Sequence, residues 1–187
     1  MRIIAGKYRS RHLKGPGRLR LRPTSDRLRE TLFNILGPSV EDSLFVDLYA
    51  GTGAIGIEAV SRAAREVIFI ESHPAGARLI RQNLELLGIR SGVEVIETDV
   101  VKGLEKLAAR QLLADFIFLD PPYREGEEHV RVLEFLDDSH LIAPYGLVIV
   151  EHSVQMELPE RFERLECSRL LEQGDAALSF YRLAAAA

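Results

Sequence analysis

The sequence predicts an α/β chain: a mostly parallel, doubly wound sheet closed at one edge by a C-terminal antiparallel hairpin, with a short basic N-terminal extension. Three observations predict it. Short apolar runs alternate with helical patterns, as in a parallel sheet covered on both faces. A glycine turn, DLYAGTGAIG (47–56), follows the first run. After His152 the alternation stops, and RFERLECSRLLE and AALSFYRL flank Gln173-Gly174-Asp175, the pattern of a hairpin.

Taken in order, residues 1–22 carry eight basic residues and no acid, with Gly6, Gly15, Pro16 and Gly17 marking a short hairpin and loop. Asp26 is the expected N-cap of a helix through Leu36, with Leu28, Leu32, Ile35 and Leu36 on one face and Gly37-Pro38 ending it. Arg27 and Arg29 fall in its first turn, where the helix dipole disfavours cations; they either face an anion or pair with Asp26 or Glu30. The strands expected next are LFVDLY (44–49), VIFIE (67–71), VEVIE (93–97), DFIFLD (115–120) and LVIVE (147–151). Helices are expected at 54–64, 75–88, 100–113 and 127–137. The division expected is a basic N-terminal extension at 1–23 and one larger domain at 24–187.

At 187 residues, 47% hydrophobic and 28% charged, the chain suits one soluble domain. Its one cysteine, Cys167, rules out an internal disulfide, fits a reducing cytoplasm and is expected to be a small core residue. The N-terminus lacks a signal-peptide core, no apolar run approaches a membrane span, and the five histidines have no zinc-ligand spacing, so neither membrane nor metal is expected. The net charge of −4 conceals an asymmetry: after residue 22 there are 16 basic against 28 acidic residues, a basic arm on an acidic body. That arrangement points to a polyanion partner and makes Arg2, Lys7, Arg9, Arg11, Lys14 and Arg22 candidate nucleic-acid contacts; the plainer reading is a solvated face pairing with the acidic body.

Gly51, Gly53 and Gly56 form G-x-G-x-x-G, which lets a ligand approach the backbone ahead of a helix N-terminus. Glu71, twenty residues after Gly51, is placed to hydrogen-bond a ribose diol. Both features suit NAD and S-adenosylmethionine alike. Asp47, four residues before Gly51, separates them: it would repel a pyrophosphate but meet the amino group of a methionine moiety, directly or through water. Asp99, just past the third strand, could accept from an adenine amine. Any one of these acids could simply be solvated or capping a helix. Three ending three consecutive strands favour an S-adenosylmethionine pocket.

The fourth strand ends in Asp120-Pro121-Pro122-Tyr123. Two prolines fix φ and remove two donors, leaving a stiff loop, although Asp-Pro-Pro alone is also a good turn. The Asp120 carboxylate and Pro121 carbonyl are suited to accept the N–H groups of a planar exocyclic amine, and Tyr123 to stack on a base. Pyrimidine C5 chemistry would need a cysteine nucleophile, and only Cys167 exists.

GKYRSRHLKGP, RPTSDRLRETLFNIL (22–36), VDLYAGTGAIGIEAVSRAA and FIFLDPPY together resemble the bacterial 16S ribosomal RNA guanine-N2 methyltransferases (RsmD type) over nearly the whole chain. The RPTSDRLRE block and the basic arm are the specific elements, since the glycine loop and DPPY occur in many methyltransferases. The resemblance implies a Rossmann-like methyltransferase fold, S-adenosylmethionine as cofactor, and 16S ribosomal RNA within a small subunit or assembly intermediate as partner. It also implies cofactor contacts from Asp47, Tyr49, Gly51, Gly53, Glu71 and Asp99, with Thr24 and Arg27 bordering the pocket and Asp120 to Tyr123 as the catalytic loop. A cytoplasmic monomer is the corresponding expectation.

Four other readings make different predictions. A DNA adenine-N6 methyltransferase also uses D-P-P-Y, but no separate target-recognition domain is evident. A protein-glutamine methyltransferase would favour Asn at position 120. An RNA-binding module with a non-catalytic pocket fits poorly with an intact Asp-Pro-Pro-Tyr. A dehydrogenase needs a hydride-transfer partner residue, which is not evident.

Overall fold

The computed structural model describes residues 1–15, 17, 24–121 and 126–185. Arg22, Pro122 and Tyr123 lie outside the described residues. Seven strands form one sheet in the order β3-β2-β1-β4-β5-β7-β6. The parallel doubly wound sheet with an antiparallel hairpin is therefore borne out. The chain divides into two compact units, Met1–Val100 and Val101–Ala187.

The first unit contains α1 (Asp26–Leu36), a 3-10 turn (Gly37–Val40), β1 (Leu44–Leu48), α2 (Ala54–Ser61), β2 (Glu66–Glu71), α3 (Pro74–Leu87) and β3 (Val93–Glu97). β1 and β3 both run parallel to β2, with Asp47 beside Phe69 and Glu71 beside Glu97. Every residue of β1 is buried, which explains why all of it but Asp47 is apolar.

Two details of α1 differ from expectation. Its N-cap is Ser25, whose hydroxyl accepts the Leu28 N–H at 3.1 Å. Asp26 instead starts the helix and pairs with Arg29 at 2.9 Å. The buried stripe is Leu28, Arg29, Leu32, Phe33 and Leu36, while Ile35 is only partly buried. The apolar stripe thus includes an arginine and is turned toward Phe33, whose ring stacks on Phe45 at 6.0 Å.

The second unit carries α4 (Val100–Ala109, beginning one residue before it), β4 (Ala114–Leu119), α5 (Gly126–Asp138), β5 (Ile142–Ser153), β6 (Leu165–Gln173) and β7 (Ala176–Leu183). β7 pairs antiparallel with both β5 and β6. β5 begins at Ile142 rather than 147, because Ala143-Pro144-Tyr145-Gly146 is taken up in an irregularity: Ala114 pairs with Ile142 and Phe116 with Leu147. The Asp137 carboxylate accepts the N–H groups of Glu163, Arg164 and Leu165 and so fixes the start of β6. Cys167 is half-buried on β6 rather than part of the core, because β6 is the edge strand.

α2 and α4 stop before residues 64 and 113, as each chain reversal places a non-glycine residue in the left-handed region: Ala63 (φ 68°) and Gln111 (φ 54°). Nothing in those residue types signals a helix end. Among the described residues, no helix is long and apolar enough to cross a membrane.

Candidate active site

The glycine loop is a tight turn between β1 and α2. Gly53 N–H bonds to the Ala50 carbonyl at 2.7 Å, and Gly51 and Gly53 have φ of 55° and 77°. Tyr49, φ 57°, holds the same left-handed region without being glycine, a cost on the order of 1 kcal/mol. Residue type gave no hint of that strain. Gly56 serves a different purpose: a Cβ there would lie 2.3 Å from Phe69 Cε1, so its absence seats α2 directly on β2.

Gly53 caps α2 and offers no side chain to its orphan amides. Asp47 substitutes, with Oδ2 accepting the Gly56 N–H at 2.9 Å. The carboxyl is 2% exposed. Burial raises its pKa well above the ordinary value; the Gly56 bond opposes this, and the neighbouring Glu71 charge adds to it. Glu71 uses one oxygen for Gly51 N–H, at 2.8 Å, and the other for His73 N–H, at 2.7 Å. It therefore fixes the loop to the start of α3, and Gly76 leaves room for it: a Cβ there would lie 2.9 Å from the Glu71 carboxyl carbon.

Asp99 is exposed immediately before α4. Thr24 is buried just before α1, whereas Arg27 is exposed. In the second unit, Asp120 follows β4 and is partly buried, and Pro121 is buried. The structure thus brings Asp47, Glu71 and the glycine backbone together.

The basic arm is built onto the first unit. Arg2 and His12 form an antiparallel bridge, and Ile3 and Leu13 are buried. Glu58 of α2, with no exposed surface, receives the N–H groups of Ile4 and Ala5 at 2.8 and 3.0 Å. It also pairs with Arg62 at 3.0 Å and lies 3.8 Å from the buried Arg29. Ser61 receives the Tyr8 N–H on its hydroxyl and the Lys7 N–H on its carbonyl. A Cβ on Gly6 would sit 1.8 Å from that carbonyl oxygen, so only glycine passes there. Lys7, Arg9, Arg11 and Lys14 remain exposed, while Arg2 lies 3.7 Å from Asp26.

The sequence reading missed Glu58, Ser61 and Asn83 and left the partner of Arg29 open. Asn83 was the most legible, a polar residue within the buried stripe Gly76, Ile80, Asn83 and Leu87 of α3.

The fold is that of the S-adenosylmethionine-dependent methyltransferases. The family described as conserved hypothetical protein 95 matches residues 1–182, and the chain belongs to it. The Haemophilus influenzae ribosomal RNA small subunit methyltransferase D is 35% identical over 186 residues, covering 98% of this chain and 92% of that protein. The solved structure of yhhF from Escherichia coli has a TM-score of 0.84 at 31% identity, covering 100% of this chain and 99% of the other. An RNA methyltransferase from Salinibacter ruber, in complex with S-adenosyl-L-homocysteine, shares the fold at 16% identity and TM-score 0.64, with 88% and 95% covered. The resemblance carried by RPTSDRLRE, the glycine loop and DPPY is borne out at the level of the family.

Proposed function

We propose that this protein transfers the methyl group of S-adenosylmethionine to the exocyclic N2 amine of a guanine in small-subunit ribosomal RNA. The observation that carries the reading is the acid-lined glycine loop, where Asp47 and Glu71 bond directly to loop and helix amides. Carboxylates there oppose a pyrophosphate and accept an ammonium and a ribose diol. The loop's left-handed glycines leave its backbone open to close approach.

In this reading Asp47 holds the amino group and Glu71 the ribose, each with oxygen lone pairs beyond those its backbone bonds use. Tyr49, Gly51 and Gly53 line the turn, and Asp99 takes the adenine edge. Bound S-adenosylmethionine supplies a methyl group on a positively charged sulfur. Asp120 and the Pro121 carbonyl accept the amine's two N–H groups, drawing its lone pair out of conjugation and aiming it at the methyl carbon. As the nitrogen–methyl bond forms, the sulfur–methyl bond breaks, its electron pair stays with neutral S-adenosylhomocysteine, and one N–H proton leaves toward the Asp120 carboxylate. Pro122 stiffens the loop and Tyr123 stacks on the base. A paired guanine must first be flipped out.

The deciding experiment is transfer from labelled S-adenosylmethionine to under-methylated small ribosomal subunits, with duplex DNA as competitor and mass analysis of the nucleosides. N2-methylguanosine is expected. N6-methyladenine, or label in the DNA alone, overturns the RNA assignment.

Two substitutions separate the parts. Asp47→Asn keeps an acceptor for Gly56 but removes the titrating group. An acid with a raised pKa binds more protons folded than unfolded, so its contribution to stability falls as pH climbs above the ordinary value of 3.8. The variant is therefore expected to melt higher than the parent at pH 7, and equally near pH 3, in calorimetric scans. It should bind S-adenosylmethionine about tenfold more weakly, the scale of one hydrogen bond to a charged group.

Reversing Lys7, Arg9 and Arg11 to Glu should leave cofactor binding unchanged. The same change should weaken RNA binding and flatten its salt dependence by about one phosphate contact per residue. Filter binding across a salt series measures both.

A further inference from the structure

Asn83 stands fully buried between two elements to which the proposed function gives different ligands. Its Oδ1 accepts the Lys14 N–H at 2.8 Å. Its Nδ2 donates to the Lys14 carbonyl at 3.2 Å and to the Thr52 carbonyl at 3.0 Å. One amide therefore grips the basic arm at Lys14 through both that residue's N–H and its carbonyl and, with its other hydrogen, the centre of the glycine loop. A second contact runs in parallel: the Thr52 hydroxyl lies 3.7 Å from the Met1 sulfur. Met1 in turn accepts the Leu13 N–H at 3.1 Å, so both arm strands meet at Thr52.

Thr52 is flanked by Gly51 and Gly53, both at positive φ, in a turn that a bound cofactor would touch. The carbonyl of such a residue is held by few local constraints, and here its partner is a side chain from α3. A helix that served only as packing would place an apolar residue at this point of its stripe. A buried amide with both hydrogens and its oxygen committed to two loops favours one relative placement of those loops.

We propose that Asn83 is a positioning residue that couples the glycine loop to the basic arm, so that a ligand ordering the loop also orders the arm. The coupling itself needs only the contacts above. Its consequence, that cofactor binding prepares the arm for RNA, rests on the function proposed for this protein.

The test is amide hydrogen exchange over residues 3–14 with and without saturating S-adenosyl-L-homocysteine, saturation being checked by calorimetry. In the parent protein the ligand should slow exchange at Ile3, Lys7 and Lys14 by about fivefold or more, the lower end of typical coupling between sites. Asn83→Asp keeps the acceptor for the Lys14 N–H but loses both amide donations, to the Thr52 and Lys14 carbonyls. Lys14→Pro removes the arm's donor without touching the α3 core. In both variants the ligand should bind while exchange at Ile3 and Lys7 no longer responds.

An arm indifferent to the ligand in the parent, or still responsive in a folded variant, overturns the proposal. Ligand-dependent arm protection without binding of small-subunit ribosomal RNA would sink the RNA reading and leave the coupling standing.

Discussion

Replacing Asp120 with alanine is expected to lower methyl transfer by about 10²–10³-fold, the usual scale for losing one preorganised polar partner of a reacting group. S-adenosylmethionine binding and RNA binding should both stay within about threefold, because the acids around the glycine loop and the basic arm belong to other segments. The loss belongs in kcat rather than KM, since in the proposed mechanism the carboxylate acts on the amine as its lone pair is drawn toward the methyl group. Single-turnover transfer with pre-bound RNA measures this directly. Asp120→Asn is the informative companion, because an amide accepts one N–H but takes no proton. An Asp120→Ala protein that transfers normally would remove the loop after β4 from the chemistry.

Replacing Glu58 with alanine should cost about 3–5 kcal/mol, because it strands buried charge rather than merely deleting a contact. Its carboxylate joins two arm amides to Arg62 and stands against Arg29, whose side chain has no exposed surface. With about 2–4 °C lost per kcal/mol in a domain of this size, melting should fall by roughly 10 °C. The arm's amides should exchange freely at temperatures where the sheet remains folded. A variant that melts like the parent would mean that Glu58 does not hold the arm. Glu58→Gln should recover part of the stability, since it keeps one acceptor for the arm.

Arg29 shows where sequence reasoning reached its limit. In the first turn of α1 it could have faced an anion or paired locally, and the residues around it could not choose. Its position within the stripe of Leu28, Leu32, Phe33 and Leu36 marked it as buried once Phe33 was counted. Its second acid, Glu58, is 29 positions away on another helix, and no local pattern identifies it. The N-cap shift from Asp26 to Ser25 is of another kind: both types cap well, and the choice follows from Asp26 being drawn toward Arg29 and Arg2.

The alternation of strands and helices, the closing hairpin, the glycine loop and the acids that border it are legible in residue order alone. Each of these depends on hydrophobic period or residue type within a few positions, where steric and solvation preferences act locally. Packing across the fold is what makes Asp47 cap α2 in place of Gly53, sets Cys167 on an edge, and fastens the basic arm by Glu58, Ser61 and Asn83. These outcomes depend on polar groups meeting across 53 to 69 positions of chain at the arm. Burial makes such meetings strong, because an unpaired polar group there is costly. The burial itself is created by the fold as a whole, so no local stretch of sequence announces it.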